Sequence, residues 1–133
     1  MANLSTLLAY TFSSSAEFFV IGLSDDNGTF TAGTAKATFR APFAMTLYEI
    51  PRITLTTAAT TNTVTVDINV ANTSILGTNK LTIDAGELTS VTALTPTTLV
   101  TTDITDDQVF TFDIDLADTT AAGLKIIMYY RKL

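Results

Sequence analysis

The chain contains no histidine, no cysteine and no tryptophan. Without histidine and cysteine there can be no disulfide, no zinc site of the usual ligand types, no Ser-His-Asp triad and no thiol nucleophile. Because a protein without thiols is indifferent to redox conditions, the missing cysteines say nothing about compartment. Basic residues are also scarce: seven Lys and Arg stand against thirteen Asp and Glu, for a formal net charge of −6. No cluster of them is dense enough to neutralise a phosphate backbone, so neither nucleic acid nor an anionic membrane is an expected partner. Long apolar runs are absent as well. The longest, "FFVIGL" and "LKIIMYY", fall far short of the roughly 18 residues a membrane span requires, and no membrane insertion is expected. The opening "MANLSTLLAYTFSSSAE" has no basic side chain ahead of its weak apolar patch and does not read as a secretory signal.

What is present is threonine, at about a fifth of all positions, whose β-branched side chain suits a pleated sheet better than a helix. Hydrophobic residues make up 47% and charged residues 15%, enough apolar surface for a packed core. At 133 residues the chain has the length of one ordinary domain. Residues 17–133 are expected to form it, with residues 1–16 as an N-terminal segment that can serve as an attachment arm.

No segment holds an apolar period of 3.6 residues for three turns, whereas short alternating stretches follow one another between Gly, Asn, Asp and Thr clusters. The pattern predicts eight or nine strands: 17–23, 35–40, 45–55, 63–70, 73–76, 80–83, a weaker one at 90–94, then 108–116 and 124–131. Turns are expected at "SDDNG" (24–28) and "IDAGE" (83–87), and "LADTTAAG" (116–123) reads as a longer link. Proline cannot donate to a ladder, so Pro51 makes 45–55 either an edge strand or two strands broken by a bulge. Pro42 marks a similar corner. The expected fold class is all-β: an antiparallel β-sandwich, jelly-roll-like in its strand count.

In "VFTFDIDL" (109–116), Phe110, Phe112, Ile114 and Leu116 alternate with Thr111, Asp113 and Asp115. In "VTVDINV" (64–70), Val64, Val66, Ile68 and Val70 alternate with Thr65, Asp67 and Asn69. Register therefore places Asp67, Asp113 and Asp115 on the wet side of their strands. Clustered carboxylates are the raw material of calcium sites and of glycoside hydrolysis, but residue type alone points there, and a solvated face is the preferred reading. "DDNG" (25–28) is too short to supply a calcium sphere alone, and "TDITDDQ" (102–108), the densest acidic stretch, reads as a polar loop. No catalytic, cofactor-binding or metal-ligating residue is assigned, and no cofactor is expected. Phe18, Phe19, Phe30, Phe39, Phe43, Tyr48, Phe110 and Phe112 are expected in the core. Tyr129 and Tyr130 cannot both face inward on one strand, so one of them is exposed or lies in a subunit interface.

Residues 33–90 carry "TFRAPFAMTL", "VTVDINV" and "SILGTNKLTIDAGE", and with "FTFDIDL" and "AGLKIIMYY" the likeness extends over about residues 18–130. This set of strand and turn motifs resembles a jelly-roll module of tailed-bacteriophage virion proteins. The resemblance implies a non-enzymatic component on the surface of the virion, in a tail fibre, a receptor-binding appendage or a surface decoration. It also implies a homotrimer, contacts with other virion proteins of the tail, baseplate or capsid, and a bacterial-surface polysaccharide or protein as target. Two functions follow. One is host-surface recognition, with loops 24–34, 56–63 and 101–107 at one end of the sandwich making contact. The other is capsid cement, clamping shell subunits through a flat face or the N-terminal segment, and the lack of a coiled-coil stem ahead of the module fits it. A polysaccharide-degrading enzyme is the third and weakest expectation.

Overall fold

The computed structural model describes residues 15–133. Most of the expected N-terminal attachment arm therefore lies outside the described residues. Among the described residues ten strands run in order: β1 (Glu17–Gly22), β2 (Gly33–Arg40), β3 (Met45–Leu47), β4 (Arg52–Thr54), β5 (Val64–Val70), β6 (Thr73–Ser74), β7 (Leu81–Ile83), β8 (Asp103–Ile104), β9 (Val109–Leu116) and β10 (Lys125–Lys132). They form two five-stranded antiparallel sheets. In the first, β10 pairs with β1 on one side and with β3 and β4, laid end to end, on the other, and β8 flanks β3. In the second, β9 lies between β2 and β5, and β6 and β7 both pair with the far side of β5. The chain is an all-β antiparallel sandwich.

Alternation decides which side of each strand is dry. Along β5 and β9 the apolar set (Val64, Val66, Ile68, Val70 and Phe110, Phe112, Ile114) is buried, and on β10 Ile126 and Met128 join it from the opposite sheet. Each large side chain so buried contributes about 1.5–3 kcal/mol, which is what holds the register against a one-residue slip.

The strand count departs from expectation in three places. Pro51 does break 45–55: β3 and β4 both pair with β10, and residues 48–51 leave the ladder between them. The weak strand at 90–94 is instead a short 3-10 helix, Ser90–Thr92, whose start is capped by the Thr89 hydroxyl accepting from Val91 N. Inside the acidic stretch 102–108, Asp103 and Ile104 form β8, because Ile104 is needed as a buried partner beside Met45.

The aromatic expectation also needs correction. Phe19, Phe30, Phe39, Phe43, Phe110 and Phe112 pack in or against the core, but Phe18 is 65% exposed and Tyr48 is exposed too. Phe18 and Phe19 are neighbours on one strand, so only one can point inward. The ladder with β10 selects Phe19, which stacks on Phe39 at 4.7 Å and meets Phe110 edge-on.

Phe112→Ala is expected to destabilise the protein by about 3–5 kcal/mol through cavity formation, whereas Leu94→Ala, at an exposed position, should stay within about 0.5 kcal/mol. Urea denaturation of the two variants beside the unsubstituted protein checks both values. Equal effects would mean that the inward face of β9 is misassigned.

Candidate functional site

The aspartates singled out by alternation do sit together on the outer side of the second sheet. Asp67 and Asp113 are directly opposite each other on β5 and β9, with Asp115 two residues further on. Two of the three are occupied in holding structure. Asp113 Oδ1 accepts from Ala35 N at 2.7 Å, at a bulge in β2 where Ala35 has a φ of 48°. Its Oδ2 accepts from Asn69 Nδ2 at 3.0 Å. Asp67 Oδ1 accepts from Ser74 Oγ at 2.6 Å and lies 3.6 Å from Lys80 Nζ, so its side chain is only 14% exposed although register points it outward. Asp115 has no hydrogen bond or ion pair among the described residues. Partial burial, with the neighbouring charges of Asp67 and Asp113, raises its pKa above the ordinary carboxylate value.

The other acidic stretches are tied down locally. In 25–28, Gly28 N donates to Asp25 O at 2.8 Å to close the turn, and Asp26 pairs with Lys125 while its carbonyl accepts from the Thr56 hydroxyl. In 102–108, Asp107 pairs with Arg40 at 3.1 Å. Among the described residues no three Asp or Glu side chains converge closely enough to hold a metal ion.

The three loops expected to share one end do not. Thr57 pairs with Ala122, and Gly86 N donates to Ala59 O, so loops 24–28, 56–62, 84–87 and 117–123 gather at one end. The 105–108 turn lies at the opposite end, beside Arg40, Ala41 and Ala71, because β9 starts there and runs the length of the sheet.

At the gathered end the organising residue is Asp118, which inspection of the sequence passed over as part of a link. It is 4% exposed. Its Oδ2 accepts from Asn62 N at 2.7 Å and Thr61 N at 3.1 Å, and its Oδ1 from Thr120 N at 2.8 Å and from the Thr120 hydroxyl. Led by the Thr120 hydroxyl, these donors hold the carboxyl far below the usual range despite its burial. The local Asp-x-Thr spacing was the available signal, since an Asx turn bonds its own backbone two residues on. Gly123, with a φ of 73°, closes the same end. A Cβ there would overlap the Thr56 hydroxyl and come within 2.6 Å of Asp26 O.

The outer side of the first sheet is of a different character. Phe18 and Val20 on β1, Ile127 and Tyr129 on β10, and Tyr48 and Ile50 after β3 make an apolar and aromatic surface. Two guanidinium groups lie on its rings: Arg52 Cζ is 5.4 Å from the Tyr129 centroid and Arg131 Cζ is 5.1 Å from that of Tyr48. The two tyrosines themselves meet edge-on at 6.2 Å. Glu49 holds Arg52 at 3.2 Å. Next to it a cleft of about 190 Å³ opens between Ile50, Pro51 and Arg52 on one wall and Leu81, Val91 and Pro96 on the other. Of the seven basic residues, four (Arg52, Lys125, Arg131, Lys132) belong to β4 and β10.

Tyr129 and Tyr130 resolve as alternation requires. Tyr130 points inward onto Phe19 and Phe43 and donates to Glu17 Oε2 at 2.8 Å, while Tyr129 lies on the outer surface. Tyrosine and arginine over an apolar floor, with charge held by stacking, is the composition of protein-binding surfaces. That surface is the candidate site. No family model, no curated protein and no solved structure matches this chain.

For Asp118 the native pKa lies below the ordinary value near 3.8, so its stabilisation is complete above that value and is lost as pH falls from there toward the native pKa. Asp118→Asn should therefore lower the urea midpoint at pH 7, and the gap to the unsubstituted protein should narrow by pH 3. Asp115 has the opposite sign: its raised pKa is a penalty at neutral pH that is relieved as pH falls, so Asp115→Asn should hold or raise the midpoint at pH 7. The same titrations read both.

Proposed function

We propose that the chain is a non-enzymatic structural protein of a tailed-phage virion, displayed on the particle surface as a trimeric jelly-roll module of a tail fibre or appendage that takes part in host-surface recognition. Two things support this reading. One is the resemblance of the strand and turn motifs in residues 18–130 to such modules. The other, which carries the functional part, is a division between two kinds of surface: an outer sheet face of stacked tyrosines and arginines over aliphatic side chains, and one end where four loops are pinned together.

Fixed loops on a rigid sandwich can meet a receptor at little entropic cost, because the ordering is already done before binding. Here Asp118 and Gly123 supply that ordering for loops 56–62 and 117–123. The polar groups presented there, Thr60, Thr61, Asn62 and Thr120 among them, suit a hydroxyl-rich polysaccharide or a polar protein loop.

A capsid cement protein is the second reading, and the apolar and aromatic outer face carrying Phe18, Tyr48 and Tyr129 favours it. A clamp on a shell gains from a contiguous apolar contact, for which Phe18 and Tyr48 are already exposed.

A tag on this chain, visualised by electron microscopy on intact particles, is expected at the tail end. Label spread over the head would establish the cement reading instead. In addition, replacing Asp113 and Asp115 together by Asn should leave any depolymerising activity of the particle unchanged. Loss of such activity in a folded variant would overturn the non-enzymatic reading.

A further inference from the structure

The cleft beside Arg52 lies where two segments leave the sheets. Pro51 takes residues 48–51 out of the ladder between β3 and β4, and residues 90–92 turn as a 3-10 helix. Between these segments and β7 is the space of about 190 Å³. Its walls are held without a ligand. Ile53 N donates to Ser90 Oγ at 3.0 Å, Leu94 N to Asp84 Oδ2 at 2.9 Å, and Gly77 N to Thr98 O at 2.9 Å. A cleft shaped in advance loses little freedom when something enters it.

Three groups in the lining have bonding capacity that the described residues do not use. Thr82 Oγ1 is the one buried side-chain polar atom among them with no hydrogen-bond partner, and Thr82 belongs to this cleft. Ser90 Oγ accepts from Ile53 N, which leaves its proton to donate. Glu49 meets Arg52 through Oε1, which leaves Oε2 to accept. Buried polar atoms are nearly always paired, so the Thr82 hydroxyl asks for a partner that the fold does not supply.

The same lining decides what chemistry can enter. A wholly apolar group would seal the Ser90 and Thr82 hydroxyls away from water with nothing to bond. A charged ligand would meet both the Glu49 carboxylate and the Arg52 guanidinium, one of which repels it. An uncharged polyhydroxyl ring suits both sets of groups: each hydroxyl can donate and accept, and the C–H faces can lie on Pro51, Leu81, Val91 and Pro96. The space is smaller than the roughly 300 Å³ at which drug-sized pockets begin, so it takes one ring.

We propose that this cleft binds one neutral pyranose unit of a polysaccharide, with the sugar's hydroxyls bonding Glu49, Ser90 and Thr82. The Thr82 oxygen is shut from solvent, and a turn of χ1 between staggered rotamers brings it to the ligand. That the sugar comes from a polysaccharide rests on the host-recognition reading above; the site itself does not.

The test titrates the full isotope-labelled chain, followed by amide NMR, with the methyl glycosides of glucose, galactose, mannose and N-acetylglucosamine. Methyl glucuronide serves as the charged comparison and N-acetyl-leucinamide as the apolar one. At least one neutral glycoside is expected to saturate with a Kd of about 1 mM, shifting amides at 49–52, 81–82 and 90–97, and the two comparison probes should bind at least about tenfold more weakly. Thr82→Val keeps the shape of the side chain and removes an unpaired hydroxyl. It should hold or raise the urea midpoint while weakening the sugar about tenfold. Val91→Glu, at an exposed position, should fold as the unsubstituted protein does and lose the sugar.

No saturable shift with any glycoside, shifts outside the cleft, tighter binding of N-acetyl-leucinamide, or a Thr82→Val variant with undiminished affinity would each overturn the site. A trisaccharide of the sugar that binds should bind at least as well as its methyl glycoside. Its exclusion would make the ligand a free sugar and overturn the polysaccharide. Tail-end label on the particle without sugar binding refutes the cleft alone, whereas sugar binding with label over the head refutes the host-recognition reading alone.

Discussion

Everything in this sandwich hangs on two central strands. β10 and β9 are each eight residues long, each flanked on both sides, and they present Ile126, Met128 and Tyr130 from one sheet, and Phe110, Phe112 and Ile114 from the other, to the same dry interior. A slip of one residue in either would turn that set to water, and the loss would exceed the few kcal/mol by which a domain of this size is stable. Shorter strands then dock where the central ones leave backbone groups unpaired, which is why three-residue β3 and β4 can share one side of β10 and β6 and β7 one side of β5.

Burial of one side of each sheet leaves two outer surfaces free to diverge, and they have. On the second sheet the carboxylates are largely consumed in local work: Asp113 secures the β2 bulge and Asp67 receives Ser74 and Lys80. On the first sheet tyrosines and arginines stack on one another above aliphatic side chains, an arrangement with no structural debt to discharge. The ends of the sandwich diverge in the same way. One is stitched by the buried Asp118 carboxylate, and the other is closed by the Arg40–Asp107 pair at the surface, where solvent screening leaves an ion pair worth little. The candidate binding surfaces are therefore the outer side of the first sheet and the Asp118 end.

Alternation made the long strands legible. β5, β9 and β10 appear within a residue or two of where period two places them, and Pro51 announces the break between β3 and β4. Short elements were not legible, because two or three residues carry no period: β8 hides in an acidic stretch, and residues 90–92 hold a β-rich composition in a 3-10 turn. The candidate surface was half visible. The tyrosine pair 129–130 signalled that one ring had to face outward, but Tyr48, Arg52 and Phe18 join it only through pairing of strands far apart in the chain.

By itself, then, the order of residues determined the sheet class, the wet and dry sides of the long strands, and the outward register of Asp67, Asp113 and Asp115, because these follow from a spacing of two along a single segment. Tertiary structure alone decided which of two adjacent aromatics, Phe18 or Phe19, is buried, which loops share an end, and that Asp118 is a buried staple. It also brought two arginines onto two tyrosines. The physical reason is that each of these depends on a partner across a sheet or a loop junction, up to about a hundred residues away, and a local pattern carries no information about distant partners.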